Sequence, residues 1–171
     1  MSKSWLACLL LVSSVAVAQE GAAPPEVKKT VDALVGNWST DMTMTAPGQA
    51  PVKFQGTWEC KPIAGGGAAE CSLSTEVPGL GRMEETDLWG YDPETKSVHI
   101  MTWNNMGEVH DHRGAWTDDK TMSLTHSATA GGKPVEETFR FEFPGKNEMR
   151  FKYTSTTADG TTTLEGHGTR K

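Results

Sequence analysis

Turn signals recur about every ten residues through the chain after Gly36, and this spacing restricts the fold more than any other feature. Clusters of Gly, Pro, Asn and Asp divide the sequence into short segments rich in Thr and aromatic residues. Such segments are typical of antiparallel strands. The predicted turns are 46–48, 65–67, 78–82, 92–95, 104–107, 118–120, 131–133, 144–146 and 158–160.

Nine turns leave ten strands, and every link between them is short. Consecutive strands should therefore pair, and an up-and-down meander of ten strands hides its edges most easily by closing into a barrel. Before it, segment 26–35 is the one predicted helix, since Val27, Val31 and Leu34 share a face and Pro25 suits its first turn. We predict an all-β, ten-stranded antiparallel barrel with a short N-terminal helix, forming one domain over 26–171.

The first 18 residues have the pattern of a secretory signal peptide. An apolar run follows Lys3, and Ala16-Val17-Ala18 fits a cleavage site. The run is too short for a transmembrane helix, which needs roughly 20 residues, and we expect no membrane span. We expect cleavage before Gln19, a flexible spacer over 19–25, and a periplasmic or extracellular mature protein. Lipidation of Cys8 is an alternative, but the residues before it match a lipoprotein signal poorly.

The charge balance argues against two classes of partner. The chain has 16 Lys and Arg against 22 Asp and Glu, a formal net charge of −6, and its basic residues form no cluster along the sequence. Nucleic acid and anionic membranes attract basic patches, so neither is expected to bind.

Cys60 and Cys71 bracket three consecutive glycines in the second predicted hairpin. Facing residues of an antiparallel hairpin have a constant sum of residue numbers. Centring the hairpin on the glycines pairs Cys60 with Cys71 and Trp58 with Leu73, and separates an apolar face from a polar one. An exported chain would hold these cysteines in an oxidising space, so we predict a disulfide. A zinc site would need two further ligands, which the spacing does not supply.

Carrying the same alternation across the next turns predicts which side chains point into the barrel. This register places His99 opposite both Trp89 and His112, and His112 opposite His126. We predict that the inward side chains of this region bind a ligand: Glu85, Asp87, Trp89, His99, Met101, Trp103, His110, His112, Trp116 and His126.

Three of these histidines, His99, His112 and His126, form a row that could bind a divalent metal, because imidazoles on adjacent strands can converge on one ion. Glu85 or Asp87 would add a ligand or orient an imidazole. The same groups could instead hold a polar head group or act as general acid and base near neutral pH. A register error of one residue would move a strand's whole set outside.

Ten strands enclose more volume than these side chains fill, so a mostly apolar cavity is expected. Our leading hypothesis is a carrier of a small apolar or amphipathic molecule. One alternative is a metal or haem protein, or a small hydrolase or isomerase, that uses the histidines. Another is an envelope protein that binds a protein partner. The sequence contains no Gly-x-Ser-x-Gly motif and no phosphate-binding loop.

Gly36-Asn37-Trp38 after a helix, at the head of a β meander, resembles the Gly-x-Trp motif of the calycin superfamily, whose lipocalin branch carries it on the first strand. In those barrels the tryptophan closes one end, often under a basic residue of the last strand, which Arg170 matches. With Gly90-Tyr91-Asp92 and Trp103-Asn104-Asn105-Met106-Gly107, the pattern is similar to an uncharacterised bacterial DUF-type family of secreted barrels. The resemblance implies a ligand-binding barrel and does not identify the ligand. The chain departs from the haem-binding relatives, because its first strand lacks their Gly-rich extension after the tryptophan, and only His167, near the end of the last strand, leaves haem as an alternative.

Overall fold

The computed structural model describes residues 24–171, so the predicted signal peptide, Cys8 and nearly all of the spacer lie outside the described residues. One helix precedes ten strands, and a short 3₁₀ turn at Ala64–Gly66 links the second strand to the third. The elements are α1 (Pro25–Leu34), β1 (Gly36–Thr45), β2 (Val52–Ile63), β3 (Ala68–Val77), β4 (Gly81–Asp92), β5 (Ser97–Asn104), β6 (Val109–Trp116), β7 (Thr121–Ala130), β8 (Lys133–Gly145), β9 (Glu148–Thr157) and β10 (Gly160–Arg170).

The ten strands form one closed barrel in which each strand pairs antiparallel with the next along the chain. β10 then pairs with β1, from Trp38 opposite Arg170 to Thr45 opposite Thr163, so the sheet has no free edge. The predicted fold class and strand number are confirmed. Within residues 24–171, no helix has the length and apolar character that crossing a membrane requires.

Helix α1 closes one end of the barrel over Trp38. The indole Nε1 of Trp38 donates a hydrogen bond of 2.8 Å to the Leu34 carbonyl oxygen, which joins the helix to β1. The Arg170 guanidinium lies 4.5 Å from the Trp38 ring centroid and donates to the Ala33 carbonyl at 2.8 Å. Gly36 has φ of 140°, and a Cβ there would meet the Arg170 side chain at 3.0 Å. Arg170 therefore has the role that the calycin resemblance implied.

A disulfide joins β2 to β3 as the sequence predicted. Cys60 lies directly opposite Cys71, with 4.0 Å between their Cα atoms, and both are buried. Trp58 lies opposite Leu73, so the predicted register of this hairpin is confirmed.

The predicted registers of the β4–β5 and β5–β6 hairpins are each wrong by one residue. Trp89 pairs with Ile100 rather than His99, because the loop 93–96 contains four residues, with the Asp92 carboxylate accepting the Glu94 and Thr95 backbone N–H groups. The predicted pairing of Trp89 with His99 leaves only three residues, 93–95, between the last facing pair.

The second error concerns the link between β5 and β6, where Ile100 rather than His99 pairs with His112. The loop 105–107 has three residues and ends at Gly107 with φ of 84°, whereas the predicted pairing of His99 with His112 leaves only two, 105 and 106, between the last facing pair. The first error assigns the wrong face of β5 to the barrel interior. The second error cancels the first, so the inward face of β6 is assigned correctly. His99, Met101 and Trp103 therefore point outward, whereas His110 and His112 point inward as predicted.

Candidate functional site

The barrel encloses a cavity of about 260 Å³, which extends toward the end opposite α1. Leu80 and Met106 stand at its rim and are 73% and 61% exposed. Its apolar lining consists of Met42, Met44, Phe54, Trp58, Leu73, Val77, Leu80, Met83, Trp89, Ile100, Met106, Phe139, Phe141, Phe151 and Leu164. Its polar lining consists of Thr40, Glu85, Asp87, Thr102, Asn104, Glu108, His110, His112, Tyr153 and Thr162.

Several buried polar atoms of this lining have no hydrogen-bond partner among residues 24–171. They are Thr40 Oγ1, the indole nitrogens of Trp58 and Trp89, and both ring nitrogens of His112. Each of these side chains is more than nine-tenths buried. Because buried polar groups in proteins are nearly always paired, a group of unpaired ones around one cavity indicates that something else supplies their partners.

Two acidic side chains of β4 stand together in the cavity wall. Asp87 is 3% exposed, and its Oδ1 accepts a hydrogen bond of 2.6 Å from Thr102 Oγ1. Burial raises the pKa of Asp87 to about 6, although the Thr102 hydrogen bond and the nearby polar groups of Glu85 and Trp58 oppose the rise. Burial and the adjacent Asp87 raise the pKa of Glu85 well above its ordinary value. The pair therefore keeps a proton near neutral pH and can both donate and accept hydrogen bonds.

Glu137 of β8 lies at the centre of a second polar cluster. His110 Nδ1 and His112 Nε2 lie 2.7 Å and 3.0 Å from Glu137 Oε2, and the Tyr153 hydroxyl donates to Glu137 Oε1 at 2.7 Å. The His112 contact is close but poorly aligned, so His112 still has no true hydrogen bond. Burial alone would raise the pKa of Glu137, but its contacts with His112, Tyr153 and His110 lower it to about 2. The carboxylate is thus ionised.

His126 completes this cluster from β7. Its ring centroid lies 5.3 Å from those of His110 and of His112. His126 lies opposite Glu137, across the hairpin formed by β7 and β8. Glu137 was not among the predicted site residues, although the two-residue loop Gly131-Gly132 gives this pairing directly once the register is carried one strand further.

The structure brings five of the ten predicted site residues to the cavity surface: Glu85, Asp87, Trp89, His110 and His112. His126 is not part of the cavity surface and lies beside Glu137. Trp116 lies under α1, where its Nε1 donates to Thr30 Oγ1 at 3.0 Å, so it belongs to the closed end instead.

The other three, His99, Met101 and Trp103, are on the outer surface, and their predicted inward position is wrong. His99 contacts Ser97 and Asp111 there, so the predicted metal row of His99, His112 and His126 does not form. His167 is also outside, 3.4 Å from Glu148, and cannot contact haem within the barrel. His99, Met101 and Trp103 lie outside because the face of β5 that points inward is opposite to the predicted one.

A protein-family model described as "Protein of unknown function (DUF1579)" matches residues 23–167. No curated protein matches the sequence. The fold is similar to that of the S-type phycobiliprotein lyase CPES from Guillardia theta, with a TM-score of 0.64 and 12% identity over 85% of this chain and 93% of that one. It is also similar to Rv2717c from M. tuberculosis, with a TM-score of 0.63 and 12% identity over 88% of this chain and 99% of that one. At this identity, the likeness shows a shared barrel fold.

Proposed function

The chain belongs to the DUF1579 family, whose function is unknown, and we propose that it binds a small, largely apolar molecule inside its barrel. The main support for this proposal is the set of buried, unpaired polar atoms around a cavity whose lining is otherwise mostly apolar. A ligand in this space would bury its body against the aromatic and methionine side chains and provide partners for the unpaired atoms.

The size of the cavity restricts the ligand. About 260 Å³ lies just below the roughly 300–1,000 Å³ that ligand sites of proteins span. The ligand should therefore be small. It should carry one polar end, because the ionisable lining groups, among them Glu85, Asp87 and His112, lie mainly on β4 and β6, the two strands that flank β5.

A fluorescence titration of the untagged protein with the hydrophobic dye ANS tests this proposal. We expect saturable binding of one dye per chain. Leu164→Trp, which adds bulk to the cavity wall, should remove it. Thr163→Trp is the matched control, because Thr163 is the adjacent residue on the opposite face of β10 and should leave dye binding unchanged.

Near-UV circular dichroism of both variants verifies that they keep native packing, since ANS also binds loosely packed states. Absence of saturable binding to the wild type would contradict the proposal. So would equal binding by the two well-folded tryptophan variants.

We also propose that the protein is exported and works in the periplasm or outside the cell. The signal-peptide pattern of residues 1–18 supports this, as does the disulfide between Cys60 and Cys71, since disulfides persist in oxidising compartments. The intact mass of the protein from its own host tests the proposal. A chain that begins at Gln19 is expected, and a retained Met1 would contradict export by cleavage.

A further inference from the structure

Two histidines and one carboxylate converge from three neighbouring strands of the barrel wall. One ligand atom each from His110, His126 and Glu137 lies within 4.8 Å of the other two. We propose that these three side chains bind a divalent transition-metal ion of the zinc type, with His112 as a fourth donor beside them. This site goes beyond the proposed apolar cavity and does not depend on it.

The spacing of the atoms suits a small ion. Bonds of about 2.0–2.1 Å to a tetrahedral zinc ion hold its ligand atoms about 3.3–3.4 Å apart. His110 Nδ1 and His112 Nε2 already lie 2.7 Å and 3.0 Å from Glu137 Oε2. Side-chain adjustments of less than an ångström at these contacts would make room for the ion, which would replace the proton between His110 and Glu137.

His126 is oriented as metal-binding histidines usually are. Its Nδ1 lies 3.1 Å from the backbone carbonyl oxygen of Asp111. A carbonyl oxygen only accepts, so Nδ1 carries the proton and the neutral ring presents a lone pair at Nε2. A hydrogen bond from one ring nitrogen to a backbone carbonyl is a common way of fixing the other nitrogen toward a metal.

His112 gives an independent indication that this cluster binds a ligand. The side chain is 2% exposed, and neither ring nitrogen makes a hydrogen bond, although Nε2 points close to Glu137. An imidazole buried without a partner is costly, and a metal bond at Nε2 would relieve that cost.

The donor set indicates the class of metal. Imidazole nitrogens with one carboxylate oxygen suit zinc and other first-row transition ions, whereas calcium and magnesium prefer oxygen ligands alone. Since His110 and His112 also line the cavity, the ion would be reached from the cavity side.

Calorimetric titration of the untagged, chelator-stripped protein with Zn²⁺ tests the site. We expect one ion per chain, retained through gel filtration and counted by elemental mass spectrometry. His126→Gln and Glu137→Gln should each weaken binding at least tenfold. His99→Gln and His167→Gln are matched controls, because both histidines lie on the outer surface beside a carboxylate and should bind zinc as the wild type does.

Cobalt(II) added to the wild type gives a second readout that needs no variant. Visible d–d absorption of the intensity of a four-coordinate nitrogen and oxygen site is expected at one equivalent. Absence of stoichiometric binding would overturn the proposal, as would unchanged affinity in both cluster variants or equal losses in the surface controls. The dye titration is done without metal, so failure here leaves the cavity proposal intact.

Discussion

The tryptophans at the covered end of the barrel and those around the cavity differ in the hydrogen bonding of their indole nitrogens. Under α1, Trp38 donates to the Leu34 carbonyl and Trp116 donates to the Thr30 hydroxyl. Around the cavity, Trp58 and Trp89 are buried, as Trp38 is, but their indole nitrogens have no partner among the described residues. The same residue type is thus paired at the covered end and left unpaired at the cavity.

This difference separates stability from binding. At the covered end, the helix, Arg170 and the disulfide hold the barrel together through contacts that need no other molecule. At the cavity, unpaired polar atoms lower the stability of the free protein and leave capacity for a ligand. Proteins tend to break the rules of polar pairing at functional sites.

The largest expected effect tests the covered half. Reducing the disulfide between Cys60 and Cys71 should lower the free energy of unfolding by about 3 kcal/mol, because it releases a loop of about a dozen residues in the unfolded chain. Urea unfolding with and without a reductant measures the loss. The double variant Cys60→Ala, Cys71→Ala is the control and should not respond to the reductant. A wild type whose unfolding free energy also stays unchanged with the reductant would contradict the stabilising role of the disulfide.

The second prediction concerns the acidic pair at the cavity. Because the folded-state pKa of Asp87 is raised from 3.8 to about 6, its contribution to stability is complete below about pH 4 and is lost as the pH rises through 6. The shift of about two units corresponds to roughly 3 kcal/mol at most. Asp87→Asn keeps an acceptor for Thr102 and should remove much of this decline. Urea unfolding at pH 4 to 7 measures it, and parallel curves for wild type and variant would contradict it.

A matched pair of substitutions measures the tryptophan difference itself. Trp38→Phe and Trp89→Phe make the same change at two sites that are each 1% exposed. Only the first loses a hydrogen bond and leaves the Leu34 carbonyl without its partner. Trp38→Phe should therefore cost about 1–2 kcal/mol more in unfolding free energy. Equal losses in urea would show that the pairing contributes nothing.

The smallest effect is expected at the outer surface. Trp103→Thr should change the unfolding free energy by less than about 0.5 kcal/mol, because the side chain is 38% exposed and outside the barrel. Dye affinity should also stay as in the wild type. A substantial loss of dye binding would instead place Trp103 in the site, as the sequence register did.

Strand number, helix and disulfide could be predicted because each depends on local signals. Turn residues define the strands, and the cysteines with their alternating neighbours define one hairpin register. The face of β5 that points into the barrel could not be predicted, since it depends on whether the preceding loop has an odd or an even number of residues. That number follows from the Asp92 hydrogen bonds, which are visible only in the structure.

The candidate site was predicted less completely for the same reason. His110 and His112 were placed correctly only because two errors of one residue cancelled. Glu137 lies on β8, one strand beyond the hairpins with a predicted register. Its contacts with three side chains from β6 and β9 are not encoded in any local pattern.

Native mass spectrometry of the protein purified from its own host tests the central claim most directly. The wild type should carry one bound small organic molecule per chain, and Leu164→Trp prepared in the same way should carry none, while Thr163→Trp keeps it. A wild type without any bound molecule, or the same molecule on the well-folded Leu164→Trp variant, would contradict the assignment of the cavity as the binding site.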